Sequence, residues 1–205
     1  MRTIVALGDS TTAGTPGFRS PIEAPLDGFG DIQSQFAYWL MQAHPDWRVL
    51  NRGVNGERSD QIAARVARDV LAAHPEVVIV IAGVNDVYQG RSAASVQREL
   101  EAIYDAGRTA SIAIVAGSII PYNTATPAQN AAMHAINQWI REHAAAHADS
   151  MVFCDTRAAV AAPGAPDHLV SSPDDLHPSP EGYRLMAAAL EPAIAAALAK
   201  ARPLR

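Results

Sequence analysis

The pattern that carries chemistry begins at Gly8-Asp9-Ser10-Thr11-Thr12, which directly follows the apolar run Thr3-Ile4-Val5-Ala6-Leu7. A serine hydroxyl placed where a buried strand ends is presented to ligand, because open parallel α/β sheets bind beyond the carboxyl ends of their strands. Glycine at that point permits a sharp turn, so Ser10 is a candidate nucleophile. Taken alone, Gly-Asp-Ser is an ordinary turn. Three further stretches give it a chemistry. Asp174-Asp175-Leu176-His177-Pro178 sets a carboxylate three residues before a histidine. If the chain curls there, Asp174 accepts the hydrogen bond from His177 Nδ1 and leaves Nε2 free to take a serine proton, with Asp175 as the adjacent competitor. Asn51-Arg52-Gly53-Val54-Asn55-Gly56-Glu57 and Gly83-Val84-Asn85-Asp86 each end an apolar strand pattern. The N–H of Ser10, the N–H of Gly56 and the side-chain amide of Asn85 are then three candidate donors for an oxyanion. Nucleophile, base, orienting acid and oxyanion donors are the parts of an acyl-transfer serine enzyme.

Positioning these residues requires elements that end at one rim. After the strand at residues 3–7, the stretch Thr11 to Gly28 is rich in Gly, Pro, Ser and Thr and reads as a long loop able to wall a pocket. Helical spacing of Ile32, Phe36, Trp39 and Leu40 predicts a helix from about Phe29 to His44, stopped by Pro45. A second strand, Trp47-Arg48-Val49-Leu50, leads into the two-glycine loop. Ser59 is the expected cap of a helix carrying Ile62, Val66 and Val70 and ending near His74-Pro75. Glu76 to Ala82 is continuously apolar and β-branched after its first residue, as a central strand covered on both faces should be. Ser92 is the expected cap of the next helix, with Val96, Leu100, Ile103 and Tyr104 inward, ahead of a fourth strand at Ser111 to Gly117. Thr126-Pro127-Ala128-Gln129 has the form of a capping box with proline at the first helical position. Met151 to Asp155 is a fifth strand, Thr156 to Asp175 an irregular stretch, and Ser179-Pro180-Glu181 the start of a last helix that Pro192 should kink or interrupt.

Five strands alternating with helices imply a flavodoxin-like, three-layer α/β/α fold with a five-stranded parallel sheet. The expected strand order is 2-1-3-4-5 within one domain spanning 1–205, which sets Ser10 and Asn85 beside the switch point.

Composition narrows the function classes. A length of 205 residues with 49% hydrophobic and 18% charged residues is that of a folded globular chain. A net charge of −5 without Lys/Arg clusters argues against nucleic acid and anionic membranes as partners. No run is long enough to span a bilayer. The single cysteine, Cys154, follows an apolar run and reads as a buried thiol. His143 and His147 are four apart on a helix, but no third ligand is near in sequence, so they read as structural and no metal is expected. The chain enters a strand directly after Met1-Arg2, which reads as cytoplasmic; a chain trimmed of a signal peptide, and so secreted or periplasmic, would look the same.

Together the four blocks, Gly8-Asp9-Ser10, Asn51 to Glu57, Gly83 to Asp86 and Asp174 to Pro178, resemble those of the SGNH hydrolases, also called GDSL-type esterases. The resemblance runs from residue 8 to residue 178 and implies Ser10 as nucleophile, Gly56 and Asn85 as oxyanion-hole donors, His177 as base and Asp174 as its orienter. Thr11-Thr12 departs from the leucine that often follows the serine. The G-x-S-x-G elbow of the α/β-hydrolases is missing. No cofactor is implied, and the partner implied is a small-molecule ester. The family spans carboxylesterases, lysophospholipases, thioesterases and carbohydrate deacetylases. Loops 11–28, 121–126 and 156–173, with their small and polar residues, suggest a shallow cleft for a short acyl group. The reading from a different class is a non-catalytic flavodoxin-like binding module, although neither G-x-G-x-x-G nor a Walker loop is present. Oligomeric state is not legible in the sequence.

Overall fold

The computed structural model describes residues 1–201. Five parallel strands form the central sheet: β1 (Arg2–Gly8), β2 (Trp47–Gly53), β3 (Val77–Ile81), β4 (Ala113–Gly117) and β5 (Met151–Cys154). Their order is β2-β1-β3-β4-β5. All five residues of β3 are buried, as its unbroken apolar sequence requires for a strand covered on both faces.

The period-2 alternation of the strands divides the core. Ile4, Ala6, Val77 and Ile79 point to one face, where Phe36 and Leu40 meet Tyr183, Met186, Leu190 and Ile194. Those residues belong to α2 (Phe36–Ala43) and α9 (Pro180–Leu198). Val5, Leu7, Val78 and Val80 point to the other face, against Ile62, Leu100, Ile103, Met133 and Ile136. These come from α3 (Ser59–Ala64), α6 (Ala93–Thr109) and α7 (Pro127–Ala146). Each fully buried aliphatic or aromatic side chain contributes roughly 1.5–3 kcal/mol, so both layers are held by burial against one sheet.

Local capping explains most helix starts. Ser92 accepts from Ser95 N, Thr126 and Gln129 form the reciprocal box, and Ser179 accepts from Gly182 N. Several expected boundaries differ. The helix expected from Phe29 begins only at Phe36, because Gly28 and Gly30 take left-handed φ values of +86° and +114°. Phe29–Gly30 instead pairs antiparallel with Phe18–Arg19, and Ile32–Ser34 is a 3₁₀ turn capped by Asp31. The loop after Ser10 likewise begins as a helical turn, α1 (Ser10–Ala13). Ser59 does not cap α3: it is its first residue, and its hydroxyl is taken by the buried Asp86 at 2.8 Å. The expected helix breaks at Arg65, after which α4 (Val66–Asp69) and a 3₁₀ turn complete the segment.

Residues 156–175 are more ordered than their composition suggests. Asp155 caps α8 (Thr156–Val160), and Ala161–Ala162 pairs with Ala165–Leu169. The last helix runs on through Pro192 to Leu198 without starting a new turn. Cys154 is buried and donates to the carbonyl of Ala189, and burial pushes its thiol up to about 12. His143 and His147 lie side by side with ring centroids 4.4 Å apart and planes tilted by 37°. Among the described residues no group of three His, Cys, Asp or Glu side chains converges, and no helix is long and apolar enough to cross a membrane.

Candidate active site

Ser10 opens α1 at the carboxyl end of β1 and is nearly buried. The turn into it depends on Gly8, where a Cβ would lie 2.3 Å from the Ile81 carbonyl oxygen of the neighbouring strand. Asp9 caps the turn by accepting from Thr11 N at 2.9 Å. Burial pushes the Asp9 carboxyl up to about 7, against the opposing pull of the Thr11 N–H.

His177 reaches this serine from 167 residues away, its Nε2 standing 2.9 Å from Ser10 Oγ. Its other ring nitrogen, Nδ1, is 2.8 Å from Asp174 Oδ2. Since an ionised carboxylate only accepts, the proton belongs on Nδ1, and Nε2 is left to accept from the serine hydroxyl. Asp174 Oδ1 closes the turn by accepting from Leu176 N at 3.0 Å and His177 N at 2.8 Å. Desolvation alone would raise the Asp174 carboxyl, but the His177 ring and these backbone N–H groups outweigh it and hold the pKa below its ordinary value. Asp175 faces elsewhere. It takes a left-handed φ of +63°, and its Oδ1 accepts from Asn123 Nδ2 at 2.9 Å. Ser172 adds a support that the sequence did not signal, donating to the His177 carbonyl at 2.7 Å.

Ser10, Gly56, Asn85 and His177 line one cavity of about 370 Å³. Gly56 adopts φ +74°, a left-handed conformation at the tip of its loop. Asn85 lies in α5 (Val84–Tyr88), and its Nδ2 donates to the Glu57 carbonyl at 2.9 Å. That bond uses one amide hydrogen and ties Asn85 to the residue after Gly56. The second hydrogen has no acceptor among the described residues. The remaining walls are mostly apolar: Val84, Tyr88, Ile120, Tyr122 and Leu176. Loop 121–126 contributes Tyr122 and loop 11–28 contributes Thr11 and Thr15, whereas loop 156–173 supplies no lining residue. Its place is taken by α5, which adds Val84 from the strand-end block and Tyr88, a residue the sequence pattern did not single out.

The supporting roles of two residues in the quoted blocks were also missed, because buried polar residues leave no periodic signal. Asn51 donates to the Ala13 carbonyl at 3.0 Å and to Gln35 at 2.8 Å, and accepts from Gly53 N. Asp86, fully buried, accepts from Ser59 N and Oγ and from Arg91 Nη1 at 2.7 Å. Such an arrangement holds a hydroxyl, a ring nitrogen able to accept its proton and amide donors around one space, which is what attack on a carbonyl carbon requires.

Residues 6–185 match the GDSL-like Lipase/Acylhydrolase family. No curated protein matches the chain in sequence. Among solved structures, a G-D-S-L family protein from Desulfitobacterium hafniense DCB-2 is 23% identical with a TM-score of 0.75, covering 94% of this chain and 99% of that one. A member of the lipolytic protein G-D-S-L family from Veillonella parvula DSM 2008 is 17% identical with a TM-score of 0.75, covering 93% and 96%. The acetylxylan esterase Axe2 from Geobacillus stearothermophilus, as a catalytic mutant, is 21% identical with a TM-score of 0.73, covering 94% of both chains. Its catalytic mutants replace a serine, an aspartate and, three residues further on, a histidine.

Proposed function

This chain belongs to the GDSL-like lipase/acylhydrolase family and is a carboxylic ester hydrolase, and on that premise we propose that it works through Ser10, His177 and Asp174 by way of an acyl-enzyme. The observation that carries the reading is the 2.9 Å approach of His177 Nε2 to Ser10 Oγ, made while Nδ1 is held by Asp174. Ser10 Oγ attacks the ester carbonyl as His177 Nε2 takes its proton. The imidazolium is stabilised by the Asp174 carboxylate. The carbonyl oxygen becomes an oxyanion facing the N–H of Ser10, the N–H of Gly56 and the Asn85 amide. Each such donor contributes on the order of 10²–10³ in rate when preorganised. His177 then protonates the departing alcohol, and a water activated by the same nitrogen releases the acid and restores Ser10.

The substrate we propose is an ester with a short acyl group. The aspartate and histidine mutated in Axe2 have the same three-residue spacing as Asp174 and His177, and that protein is named an acetylxylan esterase, which makes acetyl esters the first to test. The test is turnover of 4-nitrophenyl acetate with a series of longer acyl chains, together with covalent labelling by an organophosphonate. Labelling of Ser10 and a rate that falls with chain length support the reading. Labelling at another serine overturns the mechanism, and a rate that rises towards long chains overturns the acyl preference.

A further inference from the structure

Arg65 is a charged side chain only 6% exposed, placed where α3 breaks from α4. Its guanidinium makes four hydrogen bonds with strong geometry. Nη2 donates to the Gly8 carbonyl at 2.8 Å, and Nη1 to the Arg52 carbonyl at 2.8 Å and to Asp69 Oδ2 at 2.8 Å. Nε donates to Glu57 Oε2 at 2.6 Å. Burying a guanidinium is costly unless it is paired and its donors are used, and here two of the acceptors are backbone carbonyls that a simple ion pair would not need.

Those acceptors share a position. Gly8 lies two residues before Ser10, Arg52 lies at the end of β2 where the loop to Gly56 begins, and Glu57 follows Gly56. Glu57 is also the residue whose carbonyl receives the Asn85 amide at 2.9 Å. One planar fork therefore holds two backbone carbonyls and the Glu57 side chain, each in a segment that carries or touches a candidate oxyanion donor, while Arg65 itself does not line the cavity. From this juxtaposition we propose that Arg65 is a positioning residue that sets the spacing of the oxyanion donors, acting through Gly8, Arg52 and Glu57. The inference rests on the catalytic reading above.

A donor displaced by even 1 Å costs on the order of 10²-fold in rate, and the loss falls on the transition state and not on the bound ester. Lysine keeps the charge against Glu57 and Asp69 but cannot bridge several acceptors in one plane. Arg65→Lys is therefore expected to lower kcat on 4-nitrophenyl acetate by about 10²-fold, with KM within a few-fold. Affinity for a trifluoromethyl ketone, which forms a tetrahedral oxyanion adduct, should fall in proportion to kcat/KM. Arg68→Gln serves as the control, since the exposed Arg68 contacts the same Asp69 without reaching the loops.

A lowered melting temperature with unchanged kcat and unchanged ketone affinity overturns the proposal and leaves Arg65 a structural residue. Where Arg65→Lys does not fold, Glu57→Ala decides. It removes the Arg65 grip on the Glu57 side chain while keeping the Glu57 carbonyl that accepts from Asn85, and must lower kcat and ketone affinity together; wild-type values for both overturn the proposal. Failure of the underlying catalytic reading shows separately, as a wild-type protein that neither turns over the ester nor is labelled on Ser10, and that result overturns both.

Discussion

Asp174 presents one carboxylate oxygen to His177 Nδ1 at 2.8 Å and the other to the backbone N–H groups of Leu176 and His177 itself. A single carboxylate thus shapes the turn and orients the ring it carries. Its neighbour Asp175 is engaged with Asn123.

Asp174→Asn is expected to cut kcat on the order of 10⁴, because the amide would favour the wrong tautomer and withdraw charge from the imidazolium. Asp175→Asn should leave kcat within a few-fold, since asparagine tolerates the left-handed φ and still accepts from Asn123. Steady-state kinetics on both variants checks this, and an exchange of the two behaviours would assign the orienting role to Asp175.

Ser10→Ala should fold with a melting temperature close to wild type and lose ester turnover by several orders of magnitude. Circular dichroism and a 4-nitrophenyl acetate assay measure the two halves. Substantial residual turnover would place the nucleophile elsewhere.

Asn85→Ala should lower kcat by about 10²–10³ with a smaller change in KM, as for the loss of one preorganised donor. It also removes the tie to Glu57, so the effect should lie towards the upper end. A change confined to KM would make Asn85 a ground-state contact only.

Asp9 predicts an unusual pH dependence of stability. Its folded-state pKa of about 7 stands above the ordinary 3.8, chiefly through burial. Between those values the folded chain keeps a proton that the unfolded chain has released, so stability falls as pH rises across that window. Asp174 acts with the opposite sign: its depressed pKa adds stability above 3.8 that is lost as pH falls through its lower folded value. Urea unfolding of wild type and Asp9→Asn at pH 5 and pH 8 separates them. Asparagine keeps the cap to Thr11 N without titrating, so the variant should lose less stability on going to pH 8, by on the order of a kcal/mol or more. Parallel pH profiles for the two proteins would show that Asp9 remains ionised in the fold.

Much of the architecture was legible because it rests on local rules. The unbroken apolar run of β3 and the Thr126–Gln129 capping box state their own conformations. Where a residue answered to a distant partner, the local rule failed. Ser59 has the identity of a cap, but buried Asp86 claims its hydroxyl. Ile32 has helical spacing to Phe36, yet the left-handed glycines before it turn the chain into a hairpin. The short helix and hairpin of residues 156–169 carry too few residues for periodicity to register.

By itself, then, the sequence determined which residues could form a hydrolytic site, because a nucleophile after a strand, a histidine with a carboxylate three before it and strand-end amides are identities and short spacings. Parallel pairing with the order β2-β1-β3-β4-β5 decided that they meet, bringing His177 Nε2 to 2.9 Å from Ser10 Oγ across 167 residues. The tertiary structure alone decided the apolar walls at Tyr88 and Ile120 and the buried grip of Arg65 on Gly8, Arg52 and Glu57. Those depend on which side chains long-range packing sets side by side, and burial of a polar group leaves no mark in local spacing.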